Sequence, residues 1–350
     1  MPASLILTHL LLALVLVALS AGVVRAMIRW PILDVPNARS AHTVVTPRGG
    51  GLGPVVAFIF GMLALYQSAD VARIAELPFL GVILAAVAIA AVGLLDDIRN
   101  LSAGLRLLCQ FGAAMVAVLT GLVLERLSLP GIGTVELGFL GVLLTLFWIM
   151  GCTNAVNFMD GLDGLVAGTL VIACAALGVI ALSLGGGFIY AASLFLTAGF
   201  LGFLPFNLHR ARIFMGDVGS QFAGFMLAIL AVAAAGFEDS QVSFLIVPLL
   251  IFGLLFDAGF TLLRRALMGE RLGAAHRTHL YQMAQRAGVP VRGVAALHWA
   301  FTLFHAGLAV WFLNVPAEMK PLVGLPALAV QLAWAGYVML RMRRAGLGFS

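Results

Sequence analysis

Charge is scarce in this chain: Asp, Glu, Lys and Arg make up 10% of its 350 residues, against 62% hydrophobic residues. A mean hydropathy of +1.10 excludes a soluble core inside a solvated shell. Cysteine is scarce too. Cys109, Cys152 and Cys174 fall in or at the ends of apolar runs without metal-ligand spacing, so neither a disulfide framework nor a cysteine-based zinc site is implied. Internal repeats, heptad arrays and low-complexity tails are missing. The alternating ten-residue pattern of a membrane β-barrel is missing as well. What remains is a series of continuous runs rich in Leu, Ala and Val, many as long as the roughly 18 residues that cross a bilayer core.

These runs predict an all-α polytopic membrane protein, a single membrane domain over 1–350 with about eleven transmembrane helices. They are 4–28, 50–67, 77–95, 105–123, 137–153, 164–184, 188–204, 218–236, 242–263, 293–313 and 321–340. No basic residue precedes the first run and ten further runs follow, so it reads as a retained span, not a cleaved signal peptide. With the N-terminus outside, 17 of the 20 basic residues fall on the inner side and only Arg73, Arg126 and Lys320 on the outer. The positive-inside rule therefore predicts N-out, C-in. The net charge of +5 follows from that topology, and no nucleic-acid partner is implied.

The same topology sorts the acids. Outer loops hold scattered Asp and Glu, whereas the inner side holds Asp34, Asp96, Asp97, Asp160, Asp163, Asp217, Asp257 and Glu270, most of them at helix ends. A carboxylate beside hydrocarbon is costly unless it faces a wet cavity or a cation. Three stretches could share one such cavity. AVGLLDDIRN ends a span with the like-charged pair Asp96 and Asp97. NAVNFMDGLDGL places Asn154, Asn157, Asp160 and Asp163 at every third residue, with Gly161 and Gly164 free to bend the chain. FMGDVGS sets Asp217 between Gly216 and Gly219 at the start of a span. Taken singly, the pair is a boundary charge, an asparagine is a helix-helix hydrogen bond and Asp217 is a helix cap. Three on one side of one membrane point to a shared polar site. Oxygen ligands without paired Cys or His suit a hard cation, Mg²⁺ or Mn²⁺.

GLLDDIRNLSAGLR, NAVNFMDGLDGL and RIFMGDVGS, in this order, closely resemble the signature segments of the polyprenyl-phosphate N-acetylhexosamine-1-phosphate transferases, glycosyltransferase family 4. The loop DVPNARSAHTVVTPRGGG resembles the family's first inner loop, and the likeness runs from about Asp34 to Gln282. The resemblance implies transfer of a sugar 1-phosphate from a UDP-N-acetylated amino sugar to undecaprenyl phosphate, with release of UMP, at the cytoplasmic face of a bacterial inner membrane. It implies that Asp217 binds the metal with Asp96 and Asp97 close by as the catalytic pair. It also places Asn154, Asn157, Asp160 and Asp163 on the nucleotide and sugar side. A homodimer stays open. Direct attack by the lipid phosphate, with Asp96 or Asp97 positioning or deprotonating it, is favoured over a phosphoryl-aspartate intermediate, because a phosphate dianion is already a competent nucleophile.

Two basic loops complete the candidates. His42 and Arg48 stand with Arg39 in the first inner loop, while His276, Arg277 and His279 belong to the largest, RRALMGERLGAAHRTHLYQMAQRAG. Several family members carry an HxHH cluster there. Here Tyr281 and Gln282 follow instead, which looks like the O-antigen-initiating branch and its deoxygenated amino sugars. A transporter is the alternative class, but its acids would lie near the midplane among repeats. Only Asp257 fits that position.

Overall fold

The computed structural model describes residues 3–35, 44–68, 76–129, 133–236, 241–271, 273 and 276–348. Its long helices are α1 (Ala3–Arg29), α2 (Leu52–Ser68), α3 (Glu76–Arg99), α4 (Ala103–Leu119), α5 (Phe139–Met159), α6 (Leu165–Ser183), α7 (Gly187–Asn207) and α8 (Asp217–Gly236). They continue as α9 (Ile246–Leu250), α10 (Phe252–Leu267), the short α11 (Leu280–Arg286), α12 (Val291–Asn314) and α13 (Gly324–Arg344). Two antiparallel hairpins lie in connections, β1 (Ile32–Asp34) with β2 (Thr46–Arg48), and β3 (Arg126–Leu129) with β4 (Gly133–Glu136). All eleven apolar runs are helical. The ninth is divided between α9 and α10 at Ile251.

Among the described residues, eight helices are long and apolar enough to cross a membrane. The chain is thus an all-α polytopic membrane protein. Helices α2 and α4 have 17 residues each. At 1.5 Å per residue they reach about 26 Å, slightly less than a 30 Å hydrocarbon core.

Helix α8 is the axis of the bundle, 94% buried over its apolar window, and packs chiefly against α5 and α3. Around it, α6 packs on α7, and α7 on α1 and α2. Glycines permit the closest approaches. A Cβ on Gly51 would strike the backbone of Gly219, and one on Gly93 would stand 2.6 Å from the Asp217 carbonyl oxygen. The start of α2 and the end of α3 are thereby drawn onto the first turn of α8. The C-terminal ends of α1, α3, α5, α7, α10 and α13 and the N-terminal ends of α2, α4, α6, α8 and α12 share one end of the bundle. That end carries most of the arginines.

Candidate active site

The acidic segments meet at the arginine-rich end. Asp97, 1% exposed, closes α3 against α8. Its Oδ1 accepts from the Asp217 amide at 3.0 Å and its Oδ2 from the Val218 amide at 3.1 Å. These are the first orphan donors of α8, so the cap of that helix is a residue 120 positions earlier. Gly216 makes this possible with φ +75, and a Cβ on it would run into the Asp97 carboxylate. Asp96 turns the other way, accepting from the Leu101 amide at 2.6 Å and from Arg106 Nη1 at 3.1 Å. Both carboxylates of the pair are engaged, and cation or donor lies beside each.

Asp217 is left to face the open space. Its Oδ1 accepts from Asn157 Nδ2 at 2.6 Å and Gln221 Nε2 at 3.1 Å, and its Oδ2 has no protein partner among the described residues. Behind it runs a relay of amides between α4, α5 and α8. Gln221 Oε1 accepts from Gln110, whose Oε1 accepts from Asn154 at 2.8 Å. Asn154 therefore ties helices together behind the wall, while Asn157 reaches Asp217 and Ser220.

The stretch NAVNFMDGLDGL leaves the helix halfway. Helix α5 ends at Met159, and Asp160 to Gly164 form a turn into α6, with Gly164 at φ +73. A helix through all four polar residues is thus replaced by a helix end and a turn, because Gly161 and Gly164 sit where the chain must reverse. Asp163 Oδ2 lies 2.8 Å from His209 Nδ1 and accepts from the Ala211 amide at 3.1 Å. Asn207 Oδ1 accepts from the Gly164 amide, and Asn207 Nδ2 donates to Ile213 O. The turn and the 208–216 segment are pinned to each other.

Together these residues enclose a cavity of about 1020 Å³, with Asp97, Asn157, Asp160, Asp163 and Asp217 in its wall beside Arg48, Arg106 and Arg210. Arg48 donates to Asn100 Oδ1 at 3.1 Å and stands 4.0 Å from both Asp34 and Asp97. Burial first, then the charges of Asp217, Asp97 and Asp163, push the Asp160 carboxyl well above the usual carboxylate range.

The loop histidines are arranged differently. His279, 4% exposed, caps α11, and its Nδ1 lies 3.2 Å from Asp257 Oδ1. Asp257 also accepts from the Leu280 amide at 2.9 Å and the Tyr281 amide at 3.0 Å. A second buried aspartate thus anchors a helix N-terminus in place of a midplane transport site. Tyr281 OH donates to Phe158 O, against Gly161, which has no room for a Cβ there. His276 lies 3.0 Å from Thr278 Oγ1, and burial with nearby His279, Arg265 and Arg264 pushes it down to about 4, so it is neutral at pH 7. His276, Arg277 and His279 do not line the cavity; Gln282 and Gln285 of α11 do. His42 lies outside the described residues.

Sequence reasoning passed over Arg106, His209, Arg210, Ser220 and Gln285, whereas Gln282 was singled out beside the missing histidines and does line the cavity. Arg106 and Ser220 stood inside or beside the quoted motifs, and His209 and Arg210 lie within eight residues of Asp217. Proximity along the chain was the available signal.

Residues 79–235 match the family described as glycosyl transferase family 4. The chain is 36% identical over 272 residues, covering 77% of itself and 74% of the relative, to the "Probable undecaprenyl-phosphate N-acetylglucosaminyl 1-phosphate transferase" of Bacillus subtilis. It is 30% identical over 335 residues, 85% of itself and 83% of the relative, to the decaprenyl-phosphate N-acetylglucosaminephosphotransferase of Mycobacterium tuberculosis. Over 200 residues, 53% of itself and 61% of the relative, it is 38% identical to the phospho-N-acetylmuramoyl-pentapeptide-transferase of Leuconostoc citreum.

Proposed function

The chain belongs to glycosyl transferase family 4, the polyprenyl-phosphate N-acetylhexosamine-1-phosphate transferases, and from that premise we propose that it moves an N-acetylated amino-sugar 1-phosphate from a UDP-sugar to undecaprenyl phosphate. UMP leaves, and the lipid-linked diphosphate sugar starts an O-antigen or related envelope glycan. The observation that carries this reading is the cavity itself, an acidic pocket rimmed by arginines at one end of a membrane bundle. A soluble nucleotide sugar and a membrane-held phosphate can both reach such a place.

The chemistry asks little of the side chains beyond placement. An oxygen of the lipid phosphate attacks the β-phosphorus, a new P–O bond forms and the bond to the α-phosphate oxygen breaks, releasing UMP. Arg48 and Arg106 offer guanidinium donors to phosphate oxygens. Asp97 holds the first turn of α8, which directs Asp217 into the cavity, so its role in this reading is positioning; Asp96 fixes Arg106. With both carboxylates engaged, direct attack by a dianion that needs no base is the route they support. Among the described residues no three His, Cys, Asp or Glu side chains cluster as a ready metal cage. Magnesium, or manganese, does not require one, since it is commonly held by one or two carboxylates and substrate phosphates. Asp217 Oδ2 fits that donor set, with Asp160 beside it. When bound, the cation neutralises the diphosphate and the departing UMP. Transfer of radiolabelled sugar into an undecaprenyl lipid extract by purified protein tests the activity; label remaining wholly in the aqueous phase would count against it.

We place the site on the cytoplasmic face of the inner membrane, with all eleven runs spanning, N-out and C-in, on the strength of the arginine asymmetry. A phosphatase fused after Ser350 should be inactive and a cytoplasmic reporter at the same position active. The opposite pair of results would reverse the topology.

For the sugar we propose a 6-deoxy donor. Gln282 presents a neutral amide to the cavity at a position where the resemblance to the HxHH cluster would put a histidine, Gln285 lines the wall near it, and pocket hydrogen bonds decide which hydroxyls a substrate must offer. UDP-N-acetylfucosamine should therefore show a higher kcat/KM than UDP-N-acetylglucosamine when the two compete in one assay. A clear preference for the glucosamine donor, the sugar in the names of two relatives, would end this assignment and leave the transfer reaction untouched.

A further inference from the structure

Three arginines at the same end of the bundle take no part in the cavity. Arg25 and Arg29 lie one turn apart at the end of α1, and Arg212 lies in the segment between α7 and α8; all three are exposed. The guanidinium carbons of Arg25 and Arg212 stand 5.6 and 4.8 Å from the centroid of one ring, that of Phe206. Arg29 stands 5.9 Å from the ring of Trp30, which is 71% exposed. None of the three pairs with a carboxylate among the described residues.

The placement is built into the helix seam. Ser20 Oγ donates to Gly199 O at 2.7 Å, and Gly202 packs against Val17 and Ser20, which locks α1 onto α7. A turn further on, that seam sets Arg25 against Phe206. Two like charges on one aromatic ring repel, and an anion between them removes the conflict. The surroundings say which anion. Helix α1 is 11% buried over its apolar window, with Leu7, Leu10, Leu11 and Leu14 exposed, so it faces lipid along its length. An exposed Trp at its end marks the headgroup level. We propose that Arg25, Arg29 and Arg212 bind the phosphate of an anionic phospholipid of the surrounding bilayer. The bound headgroup braces the 208–216 segment, most of whose other residues line the cavity, and so couples lipid composition to turnover.

The test uses the full chain in nanodiscs of phosphatidylcholine with or without phosphatidylglycerol. By native mass spectrometry the wild type should retain phosphatidylglycerol over phosphatidylcholine by about five-fold per contributing arginine, and R25Q/R212Q, which keeps only Arg29 of the three, by no more than about five-fold in all. Phosphatidylglycerol should raise turnover of the wild type and leave that of R25Q/R212Q unchanged. Equal retention of the two lipids by the wild type, which needs no variant to fold, overturns the proposal. So does an undiminished preference in R25Q/R212Q. Retention is read without donor or acceptor, so failure of the transferase reading would leave this result decisive.

Discussion

Asp217→Asn should lower UMP-forming turnover by about 10³-fold and leave the folded protein as stable as before. The substitution keeps the Oδ1 acceptor that Asn157 and Gln221 use, so the contacts holding α8 to α5 survive. It removes the charge on the one carboxylate of the α3 and α8 pair whose second oxygen is open to the cavity. It also removes the neighbour that most strongly raises the Asp160 carboxyl after burial itself. The melting temperature should therefore stay level or rise slightly. Raising Mg²⁺ should recover part of the lost turnover if the defect is in cation affinity. Near-normal turnover in Asp217→Asn at ordinary Mg²⁺ would remove this residue from the metal role.

Asp97→Asn should be nearly as damaging, about 10² to 10³-fold in kcat with a smaller change in KM, and unlike Asp217→Asn it should also destabilise. An asparagine can accept from one of the two α8 amides but turns an NH₂ group toward the other. A buried donor facing a donor costs about 1–3 kcal/mol. The first turn of α8 then shifts, and Asp217 shifts with it. Turnover measured beside thermal unfolding checks this. A kcat loss with an unchanged melting temperature would mean that Asp97 acts on the reacting phosphate and not through α8.

Much of the architecture could be read from residues 1 to 350 directly. Continuous apolar runs bounded by arginines have few folds open to them, since backbone polar groups in a bilayer must be satisfied within the segment. The convergence of Asp97, Asn157, Asp160, Asp163 and Asp217 was also legible, because acids at the ends of apolar runs have nowhere else to go. Their partners were not. That Asp97 caps α8, and not Asp217, depends on Gly93 and Gly216 bringing two backbones together across more than a hundred residues. Asn154 reads like a ligand contact by spacing, yet Gln110 and Gln221 claim it from two other helices. His279 stands in a loop rich in arginines, and nothing local reveals that Asp257 buries it. Periodicity reports which face of a helix is polar; it does not report what stands opposite.

Incubation of the purified full chain with undecaprenyl phosphate, a UDP-N-acetylated amino sugar and Mg²⁺, with the released nucleotide separated by chromatography, tests the central claim most directly. The account predicts UMP, equimolar with lipid-linked diphosphate sugar and dependent on both the lipid phosphate and the cation. Release of UDP would mean that the sugar alone is transferred, and no nucleotide release with any UDP-amino sugar would contradict the transferase reading altogether.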